Sequence, residues 1–98
     1  MASEPFVKRL FVVDSHDVEC HFFQPQQVGG DSLCRFEIGW PEGSASGGVY
    51  GVDRVQALSL AMQAVHAHLL DARYNGREVS WLGEPALGLP ALTPYPCD

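Results

Sequence analysis

The apolar and polar positions divide the chain into an alternating part and a helical part. Residues 6–13 are rich in β-branched and aromatic types and predict a first strand. Asp14-Ser15-His16-Asp17 predicts a turn, because short polar side chains hydrogen-bond their own backbone. From Val18 to Phe23 the residues alternate: Val18, Cys20 and Phe22 share one face, and Glu19, His21 and Phe23 the other. After a loop at residues 25–31, Cys34, Phe36, Ile38 and Trp40 share one face, opposite Leu33, Arg35, Glu37 and Gly39. A period of two puts one face on a core and one in water, the pattern of an antiparallel sheet. Residues 39–51 hold five of the ten glycines. They predict a mobile or tightly turned loop, with at most a short strand at Val49 and Tyr50.

The period then becomes helical. Asp53 predicts an N-cap, with Gln56 three residues on as a capping-box variant, and Asn75-Gly76 predicts the stop. Val55, Leu58, Met62, Val65 and Leu69 fall within an arc of about 80° and form the expected core stripe. The opposite side carries Gln56, Leu60, Gln63, Ala64, Ala67 and Asp71, little charge for a solvent face. Such a side is either covered or an interface; the plainer reading is that alanine is a good helix former. Residues 79–82 predict a short last strand, and four of the seven prolines fall in residues 84–98, which cannot be helix. The expected fold is an α+β, two-layer domain: an antiparallel meander of three to five strands with one long helix (about 53–74) packed on one face. Its core would be Val18, Cys20, Phe22, Cys34, Phe36 and Ile38 against the helix stripe. The whole of 1–98 reads as a single domain, with 1–5 and 91–98 as flexible tails.

Charge narrows the function. With 6 Lys and Arg against 12 Asp and Glu, the net charge is −6. That argues against nucleic acid, which needs a basic stripe, and against an anionic membrane. The start of the chain lacks the basic and apolar pattern of a secretory signal. Residues 55–70 are free of formal charge but are interrupted by Gln56, Gln63, His66 and His68, and fall short of the roughly 20 apolar residues of a span. Cys20, Cys34 and Cys97 are odd in number and widely spaced, which suits reduced thiols in a cytoplasmic protein.

The candidate chemistry is thin. His66 and His68 lie about 200° apart on a helix and cannot grip one ion. Cys20 and His21 point to opposite strand faces, and no Cys-x-x-Cys is present. Glu19 could orient His21, and Asp14 could orient His16, but no nucleophile motif accompanies them. We therefore expect no catalytic residues, no metal and no cofactor. The glycines before Asp53 invite a phosphate-loop reading, yet the P-loop lysine is missing and the Asp53 carboxylate stands where an anion would sit. Trp40, Tyr50 and Trp81 are candidate ligand-binding residues for a pocket at the glycine-rich segment; ordinary core and sheet-edge packing is the plainer reading.

Asp53-x-x-Gln56-Ala57-Leu58, followed by Trp81-Leu82-Gly83 and Leu87-Gly88-Leu89-Pro90, resembles a family of small uncharacterised bacterial proteins. The resemblance spans roughly residues 6–90 and brings no activity, cofactor or partner with it. Biochemical function is therefore unknown at this stage. The expectation is a small acidic non-enzymatic binding or protein-interaction module. The alternative is a small-molecule binder or enzyme with its pocket at residues 43–53. The expected partner is a protein, or a second copy in a homodimer through the helix face of Leu60, Ala64 and Ala67. Leu87, Leu89 and Leu92 compete as a cover for that same face.

Overall fold

The computed structural model describes residues 5–90; residues 1–4 and 91–98, with the expected tails and with Leu92 and Cys97, lie outside the described residues. The elements follow in the order β1 (Pro5–Val13), β2 (His16–Phe23), β3 (Gln26–Val28), β4 (Asp31–Trp40), β5 (Gly43–Gly51), α1 (Arg54–Tyr74) and β6 (Val79–Ser80). All six strands form one antiparallel sheet. Asp14 and Ser15 turn β1 into β2 with φ of 51° and 70°, the left-handed pair that suits a two-residue hairpin. β3 continues the line of β2 beyond Pro25 and pairs with the start of β4, while β5 pairs with β4 along its other side. Across the sheet the order is therefore β5, β4, β2 with β3, β1 and β6.

The fold is the expected two-layer α+β arrangement with one long helix on one face, but the sheet has six strands instead of three to five, because Gln26–Val28 in the expected loop pairs with β4. The sheet side of the core is as the alternation predicts: Val18, Cys20, Phe22, Cys34, Phe36 and Ile38 are buried, joined by Phe11, Val13 and Val79. Arg35 and Tyr50 lie exposed on the opposite face.

The helix side departs from the expected stripe. Val55 is 78% exposed, and Leu58 and Met62 are only partly buried; the buried centre is Ala57, Ala61, Val65 and Leu69. The cause is how closely α1 approaches β5. A Cβ on Gly51 would lie 2.5 Å from the Ala57 backbone nitrogen and 2.9 Å from its Cα, and one on Gly47 would lie 2.6 Å from the Phe36 ring. At Gly51 the helix backbone lies so close that this end of the buried face carries the small Ala57 and Ala61, with Val65 and Leu69 following where the helix runs on. The same constraint corrects the loop expected at residues 39–51. Gly51 is where β5 passes beneath the helix and Gly47 where it passes beside Phe36, and most of the segment is strand.

The helix start matches its prediction. Asp53 Oδ1 accepts from the Gln56 backbone N–H at 2.8 Å, and the Val52 N–H donates back to Gln56 Oε1 at 2.8 Å. No described helix is long and apolar enough to cross a membrane.

Gly51→Ala should destabilise the domain by about 3 kcal/mol, because the new methyl meets backbone that cannot yield. Urea unfolding followed by circular dichroism measures it; an unchanged midpoint would mean that α1 is free to lift from β5.

Candidate functional site

The three aromatic residues proposed for a pocket do not meet. Trp40 pairs with Gly43 at one end of the β4–β5 hairpin, and Tyr50 pairs with Leu33 near the other end. Seven strand positions separate them, about 23 Å at the rise of a strand. Trp81 follows β6, at the far edge of the sheet from β5. The two tryptophans have packing partners of their own, with the Arg77 guanidinium 5.3 Å from the centre of the Trp40 ring and the Arg9 guanidinium 3.8 Å from that of Trp81, while Tyr50 is exposed. Most of residues 43–53 lie in β5, and the open hollow of about 450 Å³ beside Ser46, Gly47 and Gly48 is lined by Leu33, Arg35 and Glu37, not by Trp40, Tyr50 or Trp81.

The histidines are also dispersed. His16 Nδ1 lies 3.0 Å from the Asp14 carbonyl oxygen. His21 stands on the open sheet face, with Nε2 2.9 Å from Glu19 and Nδ1 3.8 Å from Glu37. The contact with His21, and then the charge of Lys8, hold the Glu19 carboxyl below its ordinary range. The His68 ring centre is 5.9 Å from that of Phe36. Among the described residues no three His, Cys, Asp or Glu side chains are grouped to hold a metal ion. Cys20 and Cys34 are buried in the core. Burial pushes the Cys20 thiol up to about 12 and raises that of Cys34, so neither is a ready thiolate.

Two arginines fasten the corners. Arg77 donates to Asp14 at 2.9 Å and to both oxygens of Glu42 at 2.9 and 3.2 Å, while Asp14 also accepts from the Glu78 N–H at 2.9 Å. This joins the β1–β2 turn, the β4–β5 turn and the α1–β6 connection. The Glu78 N–H and Arg77 hold the Asp14 carboxyl below its ordinary range, and Arg77 does the same for Glu42. Arg9 donates to the carbonyls of Leu87 and Gly88 at 3.1 and 2.8 Å. It thereby straps residues 81–90 alongside β1 and buries Leu87.

The two sheet edges differ. On the β1 side β6 covers only Val12 and Val13, and the rest of that edge carries Pro5, Lys8 and Arg9, with Leu87 and Gly88 tied beside it by the Arg9 side chain. On the other side β5 has a nine-residue edge that pairs with no strand among the described residues. The edge holds no charged residue and no proline, the usual protections against edge pairing. Beside it lies an apolar groove of about 170 Å³ lined by Val49, Leu60, Gln63, Ala64 and Ala67. The Leu60, Ala64 and Ala67 flank read from the sequence is thus uncovered by any described residue. Leu89 lies near Met62 and Arg9, on the opposite flank of the helix. The free strand edge next to that flank was missed, because its glycines and serines read as loop. The signal was the lack of any charge between Glu42 and Asp53 in a chain of net charge −6.

The model of a family described as a domain of unknown function, DUF6968, matches residues 7–91. No curated protein and no solved structure matches the chain.

Two measurements test these assignments. In a Cys97→Ser background, Ellman's reagent at pH 8 should label neither remaining thiol until the chain unfolds; rapid native labelling would put Cys20 or Cys34 at the surface. For the Arg77 corner, the folded pKa values of Asp14 and Glu42 lie below their ordinary 3.8 and 4.5. Their contribution to stability is therefore full above those values and lost as pH falls through the lower folded ones. Wild type should lose denaturant resistance more steeply than Arg77→Gln from about pH 5 downward, and parallel curves would refute the coupling.

Proposed function

The chain belongs to the family of the domain of unknown function DUF6968, and from that premise we propose that it is a small non-enzymatic interaction module that docks other protein along β5 and the adjoining flank of α1. The observation that carries this reading is the asymmetry of the sheet edges. One carries Pro5, Lys8 and Arg9 and is partly covered by β6 and by the segment that Arg9 holds, and the other is nine residues long, uncharged and paired with no described strand. An exposed edge of unpaired N–H and C=O groups templates an added strand. The groove lined by Val49, Leu60, Ala64 and Ala67 gives that added strand or its neighbours an apolar place to bury side chains.

Charge supports the same choice. The chain carries −6, yet β5 is neutral and so are Leu60, Gln63, Ala64 and Ala67. A protein partner can approach this seam without meeting like charge, whereas the acidic balance disfavours nucleic acid and anionic lipid. The setting we infer is the bacterial cytoplasm, from the resemblance in the helix start and closing motifs and from the free buried thiols Cys20 and Cys34, which suit a reducing compartment.

A photo-reactive amino acid placed at Leu60 in the cell should give an adduct of one discrete protein mass, lost in an Ala67→Glu background. The same group at Leu82, 80% exposed beyond the strapped edge, should give none. Equal yields at both positions, or no adduct at Leu60, would remove this surface as the interface.

A further inference from the structure

Resting on that reading of the surface, we propose that its occupant is a second copy of this chain, added through antiparallel pairing of β5 with β5 about a two-fold axis at Gly47. The pair would form one continuous twelve-stranded sheet with both helices on the same face.

The register follows from the strand itself. Full overlap of the nine residues Gly43–Gly51 puts their midpoint, Gly47, on the axis. Ala45 then faces Val49 of the second copy, and Ser44 faces Tyr50. These pairs keep their faces. Ala45 and Val49 both lie opposite core residues of β4, Ile38 and Cys34, whereas Ser44 and Tyr50 lie opposite Gly39 and Leu33 on the open side. Each pair sets a small residue beside a large one. Ala45, exposed although it is on the helix side of the sheet, gains the neighbouring Val49 as cover. One symmetry operation thus satisfies the free edge, and the Leu60, Ala64 and Ala67 flank of α1 follows without a second assumption.

The helices meet at a workable distance. α1 lies over both β5 and β4. Where it runs above the boundary between them, its axis is about 4.8 Å from the new seam, given a strand spacing of roughly 4.8 Å. The two helix axes would therefore pass about 10 Å apart, within the ordinary range for packed helices. Ala64 and Ala67 allow that approach, and Leu60 fills the groove left beside Val49. The area is also sufficient. An edge about 30 Å long on a domain 20 Å thick presents about 600 Å² per copy. The total of about 1,200 Å² is that of a small but specific interface. Neither β5 nor Leu60, Gln63, Ala64 and Ala67 carries a charge, so a chain of net charge −6 can still pair with itself along them.

Sedimentation equilibrium of the intact chain at micromolar concentration tests the proposal. The expected mass is twice the 10.7 kDa of one chain. Ala64→Glu and Ala64→Lys should each sediment as monomers with dimerisation weakened about 100-fold or more, because each puts like charges across the axis. An equimolar mixture of the two should restore the dimer. If Ala64→Glu does not fold, Ala67→Glu carries the same charge at an exposed position of the same flank. A monomeric wild-type chain at about 100 μM, or charge variants that remain dimeric, would overturn the proposal. A monomer that still gives the Leu60 adduct with a protein of another mass would overturn the dimer while leaving the contact surface in place.

Discussion

The structure depends on how closely the helix lies against the sheet at β5. Gly51 meets the backbone of Ala57, and Gly47 lies against the Phe36 ring. Neither contact leaves room for a Cβ, and the rest of the arrangement follows from them. The buried centre of α1 is alanine at positions 57 and 61, with Val65 and Leu69 following as the helix continues across the sheet. Larger apolar side chains are displaced to the flanks, where Leu58 and Met62 are partly buried and Leu60 lies beside an open groove. The glycines that permit the close approach also leave β5 without bulky side chains of its own along much of its length.

A two-layer domain of this size has one buried interface, between helix and sheet, and little else to hold its corners. The arginines do that work by bridging segments distant in sequence. Arg77 joins two hairpin turns to the end of the helix through Asp14 and Glu42, and Arg9 joins β1 to the carbonyls of Leu87 and Gly88. Exposed ion pairs contribute little each. Their value here is geometric: one anchors the turns, and the other keeps the closing segment over the edge that would otherwise be open beyond β6.

The result is a molecule with one protected edge and one unprotected edge. In a chain of net charge −6 the unprotected edge is also a neutral strip. Among the described residues the histidines and aromatics are spread across the sheet, whereas the free hydrogen-bonding edge and the apolar groove lie together along one side.

Much of the fold was legible in the residue pattern. Strand alternation assigned the inward faces of β2 and β4, because side chains on a strand point alternately up and down whatever surrounds them. Asp53, Gln56, Asn75 and Gly76 bounded the helix for equally local reasons. The low charge of the Leu60, Ala64 and Ala67 flank was also visible. The sequence could not rotate the helix correctly about its axis: hydrophobicity alone favoured Val55, Leu58 and Met62, whereas the observed rotation sets Ala57 against Gly51. Nor could it distinguish a glycine-rich loop from a glycine-rich strand, since backbone freedom is the same in both until a neighbour needs the missing Cβ. Whether Trp40, Tyr50 and Trp81 converged, and whether Leu87 and Leu89 covered one flank of the helix or the other, depended on strand order and on the Arg9 strap. Those are contacts between residues far apart in the chain, and only the tertiary structure decided them.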